Sequence, residues 1–142
     1  MLAATLASMA VALFTGAAVY VNVAEQPARL ALDDGQMLTQ WQLSYRRAAV
    51  MQGGLALVGT AMGLAAEYRY GDWRWLVPAL LMFVNWPYTL ICVKPTNDAL
   101  HRLASSTAGP EARRLVARWG WLHAVRSALG VAALGGCLWA AS

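Results

Sequence analysis

Charged residues are scarce in this chain. Only 13% of its 142 residues are Asp, Glu, Lys or Arg, whereas a soluble domain carries about 25%. Hydrophobic residues make up 59% of the chain, and the mean hydropathy is +0.45. This length has room for one compact domain and no second one. The composition therefore argues against an ordinary soluble domain and favours a small protein that crosses a lipid bilayer several times.

Cysteine and histidine are also rare, and each shortage narrows the chemistry. Cys92 and Cys137 lie inside apolar segments without a CxxC spacing, so we expect small apolar core residues and no disulfide or redox pair. The chain has two histidines, and the HxxE and HxxxH spacings of metal sites are missing. Two ligand sets remain as less supported metal sites: His123 with Glu25, and His123 with His101 and Asp98.

Four apolar runs are each long enough to cross a bilayer, because about 20 helical residues span about 30 Å. A signal peptide is the competing interpretation of the first run, but no Lys or Arg precedes it and it is longer than a signal-peptide core. Residues 24–45 are predicted as a polar connection, and Pro95 as the end of the third helix. The prediction is a single all-α domain, an antiparallel four-helix bundle extended on the cytoplasmic side, with spans at 2–23, 48–66, 75–93 and 121–140.

Basic residues are divided unevenly between the two ends of the predicted bundle. One end holds only Arg69 and Arg74. The other end holds Arg29, Arg46, Arg47, Lys94, Arg102, Arg113, Arg114 and Arg118, with Arg126 just inside. The positive-inside rule places this second end in the cytoplasm and both termini outside it, in an inner or plasma membrane. The basic residues thus follow membrane topology and form no patch for nucleic acid. Aromatic belts are expected at both interfaces: Trp73, Trp75 and Trp139 at one, and Trp41, Trp119 and Trp121 at the other.

Polar residues inside the predicted spans gather at the cytoplasmic end. Asn22 and Glu25 follow the first span, Asn85 and Thr89 lie in the third, and His123 lies in the fourth. The other candidates at this end are Trp86, Lys94, Asn97, Trp119 and Arg126. A polar or ionisable side chain within a membrane is costly, and by default it indicates a functional site. Structural roles remain open for some of them: Lys94 as a snorkelling cation, and Asn85 and Thr89 as bonds to neighbouring helices.

The residue types favour acid–base chemistry on a hydrophobic aromatic molecule. His123 is the candidate acid or base, and Arg126 or Lys94 can hold an anionic or enolate oxygen. Glu25 is the expected charge partner of Arg126, with Asp98 as the second choice. The remaining roles are hydrogen bonds to the substrate from Asn22, Asn85, Thr89 and Asn97, and flat contact surfaces from Trp86 and Trp119.

Three segments resemble a known family. They are NVAEQPAR at 22–29, PYTLICVKPTNDAL at 87–100 and WGWLHAVR at 119–126. Together with the four-span layout, they resemble the small membrane proteins that include the fungal anthrone oxygenases. The resemblance implies an oxygenase that inserts oxygen from O₂ at the activated methylene of an anthrone and gives an anthraquinone. It marks as site residues Asn22, Glu25, Pro95, Asn97, His123 and Arg126.

The predicted function is therefore an integral membrane oxidoreductase, a monooxygenase for an anthrone- or quinone-like aromatic substrate. The cofactor is left open, with O₂ alone favoured over a metal. Two alternatives from other classes remain. One is a small transporter or binder of an amphipathic anion, which needs a polar path to the opposite face. The other is a structural subunit of a larger complex, with its polar stripe facing outward. A homo-oligomer in the lipid bilayer also stays open.

Overall fold

The computed structural model describes residues 1–142 and contains four long helices. They are α1 (Leu2–Leu30), α2 (Asp34–Tyr70), α3 (Trp73–Arg102) and α4 (Pro110–Ala141). Each is long and apolar enough to cross a membrane. The predicted all-α, four-helix fold class is confirmed, and the chain is an integral membrane protein. Around the bundle, α1 packs on α2 and α4, and α3 packs on the same two helices.

Local sequence explains where the helices begin and end. The Asp33 side chain accepts a hydrogen bond of 2.8 Å from the backbone N–H of Gln36 and caps α2. Gly71 ends α2 in the left-handed conformation that glycine adopts without strain. In the short connection that follows, hydrogen bonds from Arg74 hold the pKa of the Asp72 carboxyl below its ordinary value. Pro110 occupies the first turn of α4, where its missing N–H costs nothing.

A wide π-helical turn precedes a proline in both α1 and α3. Val21–Glu25 lies before Pro27, and Thr89–Val93 lies before Pro95. Proline lacks a backbone N–H, and its ring crowds the carbonyl four residues earlier. A wider turn in front of the proline moves that carbonyl away, so the helix continues. The predicted helix end at Pro95 is therefore wrong, and the connection predicted at 24–45 is reduced to residues 31–33, because α1 continues to Leu30 and α2 begins at Asp34.

The core is divided into two apolar clusters. The terminal cluster, on the side of the chain termini, includes Val11, Phe14, Met82, Ala133 and Cys137. The loop cluster, toward the 31–33 and 103–109 connections, includes Val21, Met37, Leu38, Trp41, Val93, Leu100, Val116 and Trp119. Buried polar residues lie between the two on α2, α3 and α4, namely Gln52, Asn85, His123, Arg126 and Ser127. This arrangement encloses a polar layer between apolar plugs. Cys92, predicted in the core, is instead exposed.

Tryptophans at the loop end do not form the expected interfacial belt. Trp41 is fully buried and Trp119 is 6% exposed, whereas Trp121 is 80% exposed. Trp41 and Trp119 pack edge to face with centroids 5.9 Å apart, within the loop cluster. The belt prediction is wrong for these two residues and for Trp75, which is 4% exposed in the terminal cluster. At the opposite end, Trp73 and Trp139 contact each other at 5.4 Å between ring centroids.

Candidate active site

Two adjoining cavities lie in the polar layer. The larger has a volume of about 170 Å³ and lies between α2 and α3, with Arg126 of α4 on its wall. The smaller, of about 20 Å³, is lined by α1, α2 and α4 and has room for about one water molecule. Tyr45, Ala49 and Arg126 border both cavities. The cavities therefore form one site to which all four helices contribute.

Arg126 is a buried cation without an acidic partner. Its residue is 8% exposed, and its Nε has no hydrogen-bond partner in the protein. The four salt bridges of the chain involve other residues. Its guanidinium carbon lies 5.6 Å from the ring centroid of Phe14, at cation–π distance. A buried charge without a counter-ion is costly, so this guanidinium is well placed to hold an anionic ligand atom.

Glu25 pairs with Arg29 and not with Arg126. Its Oε1 lies 2.6 Å from Nη2 of Arg29, which is one helical turn further along α1. The same guanidinium also donates to Gln26, Gln40 and Ser44. Asp98, the second predicted partner, lies 2.5 Å from Nζ of Lys94. The predicted pairs with Arg126 are therefore wrong, because α1 continues past residue 24 and brings Arg29 next to Glu25.

Asn22 fixes the hydrogen-bonding state of His123. Its Nδ2 donates to the carbonyl of Gly120 at 2.9 Å, which leaves its Oδ1 as an acceptor. That oxygen accepts from the Ser127 hydroxyl at 2.7 Å and lies 3.0 Å from Nδ1 of His123. Since a neutral imidazole has one N–H, this N–H is on Nδ1 and Nε2 keeps its lone pair. His123 is thereby prepared to accept a proton at Nε2.

Tyr45 is held with its hydroxyl hydrogen free. Asn97 Nδ2 donates to the Tyr45 oxygen at 2.7 Å, so the Tyr45 O–H is available to another acceptor. The ring stacks on Trp41 with centroids 4.8 Å apart and planes 14° apart. The sequence places Tyr45 at this end of the bundle, but the prediction gave it no role in the site. Its role depends on the hydrogen bond from Asn97, and Asn97 reaches Tyr45 only because α3 continues past Pro95.

Several buried polar atoms around the cavities have no hydrogen-bond partner in the protein. Gln52 is 1% exposed and both of its amide atoms are unpaired. Oδ1 of Asn85 and Oγ1 of Thr89, both on the larger cavity, are also unpaired. Buried polar groups are normally satisfied, so these atoms require water or ligand. The others are Nε1 of Trp41, Oδ1 of Asn97, Nε1 of Trp119 and Nε of Arg126.

Most predicted site residues meet at this place. The smaller cavity is lined by Glu25, Trp119, His123 and Arg126, and the larger by Asn85, Trp86, Thr89 and Arg126. Asn22 and Asn97 do not line the cavities. They contact His123 and Tyr45, which do. Lys94 lies away from both cavities, with its side chain 55% exposed and paired to Asp98. Gln52 was likewise placed at this end of the bundle without a role, because an isolated glutamine near a span end resembles an interfacial residue.

The set of side chains does not assemble a metal centre. No three His, Cys, Asp or Glu residues converge closely enough to hold an ion. His101 packs against Trp41 and Tyr45 with ring centroids 5.0 and 5.4 Å apart. The candidate ligand set of His123, His101 and Asp98 therefore does not form.

Fold and site together define a class of protein: a membrane-embedded four-helix bundle whose cavities are lined by a histidine, a tyrosine and an unpaired arginine. The model of the family described as anthrone oxygenase matches residues 41–136 of this chain. The chain belongs to the anthrone oxygenase family. The matched region contains His123, Arg126, Tyr45 and Asn97 but not α1, so the contributions of Asn22 and Glu25 rest on the structure.

Curated relatives carry the same family name. An anthrone oxygenase of Claviceps purpurea (strain 20.1) is 32% identical over 108 residues, which cover 68% of this chain and 62% of that protein. Anthrone oxygenase nsrD of Aspergillus novofumigatus is 34% identical over 106 residues, covering 68% of this chain and 65% of the relative. The chain thus spans less than two thirds of the length of these relatives. No solved structure matches.

Proposed function

We propose that this protein is a membrane monooxygenase that oxidises the activated methylene of an anthrone-like aromatic substrate with O₂. The observation that carries the proposal is Arg126, buried without an acid on cavities that also hold a neutral His123. An anthrone suits this pair because its methylene is acidic and the resulting charge spreads to the ring ketone oxygen. The names of the curated relatives support the same chemistry.

The first step is proton transfer. Nε2 of His123 accepts a methylene proton, and the electron pair of the C–H bond moves through the ring system to the ketone oxygen. Arg126 and the free O–H of Tyr45 stabilise the enolate oxygen that forms. Because Asn97 donates to the Tyr45 oxygen, the Tyr45 O–H remains free to donate to the substrate. The unpaired Oδ1 of Asn85 accepts a hydrogen bond from a hydroxyl substituent of the substrate, and the Thr89 hydroxyl bonds to a substituent oxygen.

The second step consumes O₂. The electron-rich carbon forms a bond to one oxygen atom, and the O–O bond then breaks as the second methylene hydrogen is lost. One oxygen becomes the new ketone and the other leaves as water with both methylene hydrogens. One methylene and one O₂ therefore give one ketone and one water. O₂ is the oxidant in this balance, and we propose that the reaction uses no other co-reactant.

The proposal includes a placement in the membrane. Residues 1–142 form a single transmembrane domain with both termini outside the cytoplasm and the site in the cytoplasmic half of the bundle. The support is electrostatic, because the end with the helix extensions carries most of the Arg residues. The residues that line both cavities belong to one copy of the chain.

The alternatives fit the geometry less well. A transporter of an amphipathic anion needs a polar path along the bundle, but apolar clusters lie on both sides of the polar layer. A structural subunit would present its polar residues outward, whereas Asn85, His123 and Arg126 are buried within one chain. An anion binder without catalysis would also use Arg126, but it would not need the hydrogen bond that orients His123.

A labelling experiment tests the proposal. The purified protein in lipid nanodiscs is supplied with anthrone and ¹⁸O₂, and the product is analysed by mass spectrometry. We expect an anthraquinone with one ¹⁸O atom, and a rate about 100-fold or more lower for His123→Ala with an unchanged melting temperature. Product formation at the wild-type rate by folded His123→Ala would overturn the assignment of the base.

A further inference from the structure

The larger cavity opens sideways between α2 and α3. Asn85 and Arg126 on its inner wall are 2% and 8% exposed, whereas Trp86 and Leu90 at its rim are 43% and 57% exposed. Both rim residues lie within the span at 75–93, with Trp86 about 10 Å from the end of that span at 1.5 Å per residue. At this depth the surroundings are lipid, so the rim faces the bilayer.

Other routes into the cavity are closed to a molecule with fused rings. Toward the loops, the axis of the bundle is filled by Met37, Leu38 and Trp41, each fully buried. Toward the termini it is filled by Phe14 and Met82, which are also fully buried. The smaller cavity, at about 20 Å³, admits about one water molecule. The larger cavity has its lateral opening between α2 and α3.

Gly53 sets the width of this gap. A Cβ atom at position 53 would lie 3.7 Å from Cζ2 of Trp86, in ordinary van der Waals contact. A methyl group therefore fits against the indole, and a longer side chain would fill the opening. The neighbouring Gly54 lies on the outer, exposed face of α2, and a Cβ atom there meets nothing within 4 Å. Gly53 therefore lines the gap, whereas Gly54 does not.

Cavity size indicates how a substrate sits. The volume of about 170 Å³ is close to the roughly 150 Å³ of a cavity that holds benzene. One ring with its oxygen therefore fits beside Arg126, and further fused rings extend outward past Gly53 along the indole of Trp86. An indole beside projecting flat rings favours aromatic stacking. We propose that substrates reach the site from the bilayer between α2 and α3, and that Gly53 and Trp86 select flat, fused-ring molecules there.

This inference rests on the proposed function for its substrate class, and a binding measurement separates the two. In nanodiscs under nitrogen, where anthrone is not consumed, the rise in melting temperature caused by anthrone reports binding. We expect the wild type and Gly54→Leu to show the same rise. Gly53→Leu should lose the rise with anthrone but keep it with phenol, a one-ring probe, and its KM for anthrone should increase at least about tenfold.

Trp86 provides the second variant, which does not narrow the gap. Trp86→Ala should weaken anthrone binding about tenfold, Trp86→Phe should retain most of it, and the exposed control Trp121→Ala should retain all of it. Wild-type anthrone binding by both Gly53→Leu and Trp86→Ala would overturn the inference and leave the proposed function intact. A different pair of results would support this access route and overturn the proposed function. In that case the wild type binds anthrone without turning it over, and Gly53→Leu does not bind it.

Discussion

Among single residues, the two buried arginines of the polar layer stand in opposite surroundings. Arg29 has an acid at 2.6 Å and three further polar partners, whereas Arg126 has neither an acid nor a partner for Nε. Breaking a buried ion pair is strongly destabilising, while a buried charge that was never paired is itself a cost. Arg29 is therefore a structural cation, and Arg126 is a cation retained for a ligand.

Replacement by methionine should separate these roles. Arg126→Met removes an unpaired charge, so we expect the free energy of unfolding to rise by about 2 kcal/mol while turnover is lost. Arg29→Met leaves Glu25 without its partner, so we expect a loss of about 3 kcal/mol. Denaturation in the same detergent measures both variants. A comparable loss of stability in both would show that Arg126 has a structural counter-ion after all.

Asn22 is a positioning residue, because it acts through His123. Asn22→Ala removes the acceptor that keeps the hydrogen on Nδ1, so we expect kcat to fall about 10- to 100-fold with little change in KM. ¹⁵N NMR of the labelled imidazole should show the loss of the single tautomer. Ser127→Ala removes the other donor to the same oxygen and should cost less. A single retained tautomer in Asn22→Ala would contradict this role.

For single residues, the sequence indicates that a polar site exists, but it does not show which charged residues pair with each other. His123, Arg126 and Asn85 stand out because polar groups within apolar runs are costly. The Glu25–Arg126 pair failed because the partner of Glu25 depends on whether α1 continues as a helix. Lys94 was misplaced for a similar reason, since one helical turn beyond Pro95 brings it beside Asp98.

Within the helices, the connection between α1 and α2 is held by α4. Arg113 donates to Asp34 at 2.6 Å and to the carbonyls of Leu30 and Leu32 at 2.7 Å each. Carbonyls at a helix end lack intrahelical partners, and a cation there is favourable. Arg113 therefore fixes the end of α1, and with it the position of the π-helical turn that carries Asn22 and Glu25.

Arg113→Ala should destabilise the bundle by about 2 kcal/mol, because it removes charge-assisted hydrogen bonds to two carbonyls and a carboxylate. Arg114→Ala is the matched control, since its side chain is exposed and forms no hydrogen bond within the chain. Thermal unfolding of the two variants in one detergent measures the difference. Equal melting temperatures would show that the end of α1 is held by other contacts.

Apolar runs were sufficient to predict four helices, but not their continuation past Pro27 and Pro95. Helix propensity and the effect of proline both argue for a stop at these positions. The π-helical turns that avoid the stop have no propensity of their own. They depend on tertiary contacts such as the hydrogen bond from Gln26 to the carbonyl of Val116 at 2.8 Å, which no local pattern contains.

For the whole molecule, the feature that matters is a polar layer enclosed by two apolar clusters. The terminal cluster could be anticipated from the apolar outer halves of the spans. The loop cluster could not, because Met37, Trp41 and Leu100 lie in amphipathic stretches that resemble interfacial helices. Its presence closes the axis of the bundle and directs access to the lateral gap between α2 and α3.

Orientation in the membrane can be measured by cysteine labelling. With Cys92 and Cys137 replaced by alanine, Ser142→Cys and Ser106→Cys place single thiols at the two ends of the bundle. We expect a membrane-impermeant maleimide to label the Ser142→Cys protein from outside the cell and the Ser106→Cys protein only in inverted vesicles. The reverse pattern would place the site in the outer half of the membrane.

The most direct measurement of the central claim, that His123 removes a proton while Arg126 holds the charge, is hydrogen–deuterium exchange at the anthrone methylene. Under nitrogen in D₂O, oxygen chemistry is absent and only proton transfer is observed. After subtraction of the protein-free rate, we expect the wild type and Trp121→Ala to exchange about 100-fold faster than His123→Ala. Arg126→Met should be similarly slow. Exchange by His123→Ala at the wild-type rate would contradict the claim.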